Sequence, residues 1–275
     1  MVIKCQSEAE AILLSYLQEE AVYNTFMTAD IINYGFEQRF QEIYADVAGE
    51  VMEPDAVKGV YLKFYDNFMI YSRTKEVDRE FLRSYFTDWL PAVVMGKADV
   101  IAAAAPLLPD YTYNEKSIFA LSGQDIKRPP DIGVTVKRAT LEDVDRIYQF
   151  LMSIEEIKHL YDSREMIVSR IKTGDGHHCF VEKEGVIIGH ANSTAENPST
   201  VMIGGVGTKA QARGRGIASA IVYELAHGIL EQGKTPCLFG KKKETHNLFT
   251  GLGFRRFGAW ATLERPYPDS VGRLL

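Results

Sequence analysis

The chain has 275 residues, 46% hydrophobic and 25% charged, the balance of a folded soluble protein with apolar material for two domains. No stretch nears the roughly 20 uninterrupted apolar residues of a membrane span, the early acids Glu8 and Glu10 oppose an export signal, and the widely spaced Cys5, Cys179 and Cys237 read as free thiols in a reducing, cytoplasmic setting. Residues 1–130 hold 12 Lys and Arg against 20 Asp and Glu, and residues 131–275 hold 19 against 17, so neither half has the basic stripe of a nucleic-acid binder.

In chain order, Ser7-Glu8-Ala9-Glu10 fits a capping box and opens a helix. Gly59 to Tyr71 alternates apolar groups on either side of an Asp66-Asn67 turn, the pattern of a hairpin. Helical pattern follows from about Glu76 to Leu90, stops at Pro91, and resumes to about Ala105; a strand lies near Ser117 to Leu121. The run Ile126-Lys127-Arg128-Pro129-Pro130-Asp131 is the best linker, because tandem prolines stop both helix and central strand. The expected domains are therefore 1–130 and 131–275.

The second half begins with the strand pattern Val134–Arg138, then a helix capped by Thr140 with first-turn acids, and a second helix from Ser163 to Gly174. His178–Glu182 and Val186–Ser193 form a hairpin across Lys183-Glu184-Gly185, and a strand covers Thr200–Gly207. A long helix starts near Gly214 with the apolar stripe Ile217, Ile221, Leu225 and Ile229, and ends at Gly233. Strand Cys237–Phe239, helix Glu244–Leu252 and strand pattern Phe254–Leu263 complete an α+β order.

The chemistry concentrates at Val206-Gly207-Thr208-Lys209-Ala210-Gln211-Ala212-Arg213-Gly214-Arg215-Gly216-Ile217-Ala218. A helix start offers up to four unpaired amides and the positive end of the dipole, and glycines let a ligand approach them. With Arg213 and Arg215 beside it, this is a phosphate or pyrophosphate cradle. The nucleotide P-loop pattern is absent. The dinucleotide fingerprint fails at Ser219, which opposes an oxidoreductase.

Gln211-x-x-Gly214-x-Gly216 instead resembles the coenzyme-A loop of the GNAT acyltransferase superfamily. Leu252-Gly253-Phe254 is similar to that family's Gly-Phe turn, and the element order after residue 134 matches. The resemblance covers the second half. It implies a GNAT-like mixed, mostly antiparallel sheet flanked by helices, preceded by a second α+β domain. It also implies acetyl-CoA as cofactor and acetyl transfer to a primary amine, on a small molecule or a protein, by direct attack on the thioester. Val206 and Thr208 would hold the pantetheine arm through main-chain groups. Amides of Gln211 to Ala218, chiefly Arg213, Gly214, Arg215 and Gly216, with Ile217 closing the turn, would hold the pyrophosphate. A free amide near Gly204 to Val206, that of Val206, would stabilise the oxyanion.

Two positions depart from the family. Phe249 stands where many members carry a proton-donating tyrosine, and Lys242 where asparagine is usual. Phe249 favours the rival reading, a non-catalytic acyl-CoA-binding sensor. For a general base the candidates are His190 and Glu196. Lys241-Lys242-Lys243 is a charge run that could meet the coenzyme's 3′-phosphate. His177-His178-Cys179 is no metal cluster, because adjacent strand residues point to opposite faces.

The first half offers a hairpin, a helix and a later strand in the same order as the loop region. Between Ser72 and Asp78 it has no glycine, and Glu76, Asp78 and Glu80 crowd the helix start, where they would repel a pyrophosphate. It is either a worn copy of the same fold that does not bind coenzyme A, or an unrelated α+β domain. In both cases its acidic, tyrosine-rich surface suits an amine-bearing acceptor.

Overall fold

A computed structural model describes residues 1–266 except 50, 122, 124, 125, 162, 175, 241 and 242. It divides, over the described residues, into a first unit, Met1–Ser117 with residues 258–266, and a second, Ile118–Phe257. Apart from short 3-10 turns, the first half of the chain runs β1 (Val2–Lys4), α1 (Glu10–Gln18), α2 (Thr25–Tyr34), β2 (Gln41–Val47), β3 (Val57–Phe64), β4 (Asn67–Ser72), α3 (Arg79–Asp88), β5 (Val93–Lys97), α4 (Ala98–Ala104) and β6 (Thr112–Ala120). The second half runs β7 (Lys137–Arg138), α5 (Val144–Met152), α6 (Arg164–Thr173), β8 (His178–Lys183), β9 (Val186–Glu196), β10 (Thr200–Thr208), α7 (Ile217–Glu231), β11 (Thr235–Gly240), α8 (Lys243–Gly251) and β12 (Arg255–Glu264). The two orders are identical.

In the first unit, β1, β2, β3 and β4 pair antiparallel in sequence, and β4 pairs parallel with β5. The parallel step needs a crossover, which α3 supplies. Its first turn is capped by Asp78, whose carboxylate accepts from the Phe81 amide at 2.9 Å. Cys5, Leu13, Tyr16, Leu17, Ile31 and Leu62 belong to one apolar core of this unit. Leu82, Phe86, Val94, Ile101, Ala261 and Leu263 belong to another.

The second unit repeats the scheme. β7, β8, β9 and β10 pair antiparallel, and β10 pairs parallel with β11 through α7. The β8–β9 turn needs positive φ at both central residues, and Glu184 (52°) and Gly185 (78°) provide it. Ser163 caps α6 and left-handed Gly174 ends it, as the sequence predicts. α7 buries Ile217, Ile221, Val222, Leu225, Ala226 and Ile229 against β8, β9 and β10. Each large side chain contributes about 1.5–3 kcal/mol by leaving water.

Each unit is completed by a segment from the other half of the chain. Trp260–Glu264 of β12 pairs antiparallel with Lys97–Val93 of β5 in the first unit. Ile118, Phe119 and Leu121 belong to the second unit, where Leu121 N–H donates to Pro236 C=O at 3.0 Å. The sequence reading places the division at Pro130, whereas the packing places it at Ser117/Ile118 and Phe257/Gly258. The Pro129-Pro130 run lies within the second unit, with Ile126, Val134 and Val136 packed on that core.

Other differences have local causes. The segment expected as helix to Ala105 contains β5 instead, because Gly96 lets its backbone approach the Ile70 carbonyl, where a Cβ would overlap. The strand expected at 134–138 is only Lys137–Arg138. The reading offered nothing for α2 and β2, of which β2 alternates buried and half-buried positions along its whole length.

The exchange makes a test. Residues 1–117 alone lack the strand that closes β5 and are expected to show no cooperative thermal transition by circular dichroism. The same fragment with residues 255–266 appended through a Gly-Ser linker is expected to regain one.

Candidate functional site

The site is organised by β10. Its register with β11 runs from Thr200↔Thr235 to Ile203↔Leu238 and ends there. Its register with β9 jumps from Gly204↔Asn192 to Gly207↔His190, so Gly205 and Val206 form a bulge outside either register. Gly205 has φ +58°, and a Cβ at this position would overlap Tyr161 Oη and Asn192 Oδ1, so only glycine fits. Beyond the bulge Lys209 N–H donates to Ile188 C=O at 2.9 Å. Main-chain groups alternate along a strand, so those of Thr208 face the other edge, away from β9. Accordingly Thr208 C=O accepts from Arg213 Nε at 3.0 Å.

From β10 the chain enters the glycine loop. Buried Ala212 and Ile217 anchor its two ends, while Gln211, Arg213, Gly214, Arg215 and Gly216 are exposed. Gly214 and Gly216 both have positive φ, 74° and 80°, and nothing lies within 4 Å of a Cβ placed at Gly214. Gly216 caps α7 without any side-chain hydrogen bond, so no cap among the described residues satisfies the first amides. The corresponding helix of the first unit, α3, has its amide filled by Asp78. Arg215 has no hydrogen-bond or ion-pair partner among the described residues. The donors and charge of this loop fit a pyrophosphate. Arg213 is drawn aside: besides Thr208 it donates through Nη2 to Glu156, at 3.2 Å, on the segment between α5 and α6.

On the α5–α6 side of β10 lies a buried polar cluster. His190 Nδ1 is 3.0 Å from Gly205 C=O, and its Nε2 is 2.9 Å from His178 Nδ1. Tyr161 Oη donates to Asn192 Oδ1 at 2.6 Å. Burial lowers the pKa of both histidines well below the usual imidazole range, and raises that of Tyr161. The general-base expectation for His190 is thereby corrected: it is fully buried, both ring nitrogens are engaged, and it is a weak base.

Glu196 is not brought to the bulge. It pairs in register with Val201, four residues or about 13 Å along β10 from Gly205, and its carboxylate is held by Lys234 Nζ at 2.6 Å. Phe249 is buried among Phe119, Leu252 and Phe254, so no phenol stands at that position. Lys241 and Lys242 lie outside the described residues, as does the Lys243 side chain. No metal-binding group of three or more His, Cys, Asp or Glu occurs among the described residues. No helix among them is long and apolar enough to cross a membrane.

The sequence reading missed Tyr161 and Glu156, which sit in an irregular segment with no periodic signal. The adjacent Gly204-Gly205 inside a strand was a usable signal for the bulge.

The two neutral histidines link stability to pH. Unfolded imidazoles take up protons below about pH 6.5, whereas the folded pair stays neutral to lower pH, so stability is lost as pH falls from there. Wild-type protein is expected to lose more melting temperature between pH 7 and pH 5 than a His178→Asn variant, measured by calorimetry.

Against known proteins, the model of the acetyltransferase (GNAT) family matches residues 141–254. No curated protein sequence matches the chain. Among solved structures, a Drosophila protein shares 10% identity over 98% of this chain and 99% of its own, with a TM-score of 0.66. A GCN5-related N-acetyltransferase from Sphaerobacter thermophilus shares 15% over 98% and 97%, with a TM-score of 0.63. A tandem GNAT protein from the clavulanic acid biosynthesis pathway shares 10% over 98% and 99%, with a TM-score of 0.59. At these identities the likeness is one of fold, extending over almost the whole chain. With the uncapped glycine loop, the parted strands and the family match in one place, residues 141–254 of this chain are a domain of the GNAT acetyltransferase family.

Proposed function

We propose that the chain is an acetyl-CoA-dependent N-acetyltransferase acting on a primary amine of a small molecule or a protein. The observation that carries this is the uncapped start of α7, at Gly214–Ile217, beside the bulge where β10 leaves β11. In this reading the amides of Gly214 to Ile217, with the Arg215 side chain, bind the pyrophosphate, while the Arg213 amide is already bonded to Ala210 C=O. The outward main-chain groups of Val206 and Thr208 bind the pantetheine arm as an added strand would. The Val206 N–H stabilises the oxyanion when the amine lone pair attacks the thioester carbon. The C–S bond then breaks, the electron pair leaves on sulfur, and the amine proton passes to water. A thiolate near pKa 8.5 needs little help to depart, which accommodates Phe249.

Phe249 also supports a second reading, an acyl-CoA-binding sensor without turnover. Release of thiol from acetyl-CoA with an amine acceptor separates the two. We read the first unit as a degenerate copy of the same fold, supported by its identical element order and by Asp78, whose carboxylate fills and repels at the place an anion would take.

Acetyl-CoA at 100 times its dissociation constant is expected to raise the melting temperature by roughly 2–4 °C, with NADH and ATP giving no comparable shift. Gly216→Asp is expected to abolish that shift while leaving the ligand-free melting point within a few degrees, because aspartate tolerates positive φ. Glu156→Ala removes the acceptor that holds Arg213 Nη2 and is expected to tighten acetyl-CoA binding by up to about fivefold, the range of an exposed pair. Arg213→Ala is expected to weaken it; calorimetric titration reads both.

A further inference from the structure

The hydrogens of the buried histidine pair can be assigned from the acceptor at its end. A carbonyl oxygen only accepts, so the 3.0 Å contact between His190 Nδ1 and Gly205 C=O requires a proton on Nδ1. Because the ring is neutral, Nε2 of His190 then carries a lone pair. It accepts from His178, 2.9 Å away, so His178 also bears its proton on Nδ1. The remaining nitrogen, His178 Nε2, is a buried atom with no hydrogen-bond partner among the described residues. Leaving it so costs about 1–3 kcal/mol. Two polar residues at 1% and 0% exposure are thus ordered in one direction, toward a single main-chain oxygen.

That oxygen belongs to the peptide joining Gly205 to Val206. The peptide is planar and trans, so its C=O and N–H point in opposite directions. Holding the Gly205 carbonyl toward His190 therefore aims the Val206 N–H to the opposite side. Nothing else fixes this peptide through the ladders, since Gly205 and Val206 lie outside the β9 and β11 registers. The positive φ of Gly205 would otherwise leave the peptide free to rotate. Tyr161 and Asn192, bonded to each other, occupy the space beside Gly205 and limit rotation from that side.

We propose that His190, oriented by His178, is a positioning residue that turns the Gly205–Val206 peptide so that the Val206 N–H serves as the oxyanion donor. This rests on the acyltransferase reading. The histidines exchange no proton with substrate. They act as a neutral relay of orientation from the β8–β9 hairpin to β10.

The test has two parts. Long-range nitrogen-15 spectra of the wild-type protein at pH 7 are expected to show both His178 and His190 protonated on Nδ1. A proton on Nε2 of His190 overturns the proposal whatever the protein binds. Next, the infrared carbonyl stretch of carbon-13-labelled acetyl-CoA is compared between free cofactor and cofactor bound to wild type, His190→Leu and His190→Asn. The asparagine amide can donate where Nδ1 does. Wild type and His190→Asn are expected to lower the frequency, and His190→Leu to return it toward the free value, with dissociation constants agreeing within about threefold. Thiol release is expected to fall about a hundredfold in His190→Leu, the scale of a lost oxyanion donor, and less than tenfold in His190→Asn. A lowered frequency unchanged in His190→Leu overturns the positioning role alone. Failure of wild type to bind acetyl-CoA overturns the acyltransferase reading, and this role with it.

Discussion

Strands that stay in register bond their edges to each other and leave no main-chain group for a ligand. β10 escapes this constraint within four residues, parting from one neighbour and bulging from the other before it resumes pairing at Gly207. It parts from β11 after Ile203 and bulges from β9 at Gly205 and Val206. The remaining features of the site follow from that departure. The freed edge presents Thr208, the chain turns through Gly214 and Gly216, and α7 begins with unpaired amides. A bulge in a strand is costly unless something holds it. Here the holding groups are side chains from β8, β9 and the segment before α6: His178, His190, Asn192 and Tyr161. Polar burial that looks wasteful for stability is spent on the direction of one peptide.

The two units show how one arrangement diverges. Both contain a parallel strand pair with a helical crossover, β4-α3-β5 and β10-α7-β11. In the first, β4 keeps an unbroken register with β3 from Phe64↔Asn67 to Gly59↔Ser72, and the helix start is capped by its own aspartate. In the second the strand bulges and the helix start is open. The same topology thus gives a closed structural helix in one unit and a donor-lined cradle in the other. The difference lies in a few residues, Asp78 against Gly216 foremost.

Much of the second unit was legible, because its signals are local. The Thr140 and Ser163 caps, the Lys183-Glu184-Gly185 turn and the stripe of α7 each act within a few residues of chain. The loop Gln211–Gly216 was legible for the same reason. What escaped depends on distant pairing. β5 follows Pro91 and runs into an alanine-rich helix, so its strand character comes from β4 and β12 rather than from itself. The pairing of β12 with β5 joins residues far apart in sequence, and no local pattern announces it. His190 was singled out as a titratable group, but its role depends on a diagonal contact. His178 stands opposite Asn192, and only that register brings it to His190.

On the proposed reading the start of α7 and the freed edge of β10 form one acetyl-CoA site. Amide chemical shifts of nitrogen-15-labelled protein titrated with acetyl-CoA test it most directly. Saturable shifts are expected, largest at Val206, Thr208 and Gly214 to Ile217, with the amides at the start of α3 unmoved. Binding that leaves Gly214 to Ile217 unperturbed, or no binding at all, would contradict it.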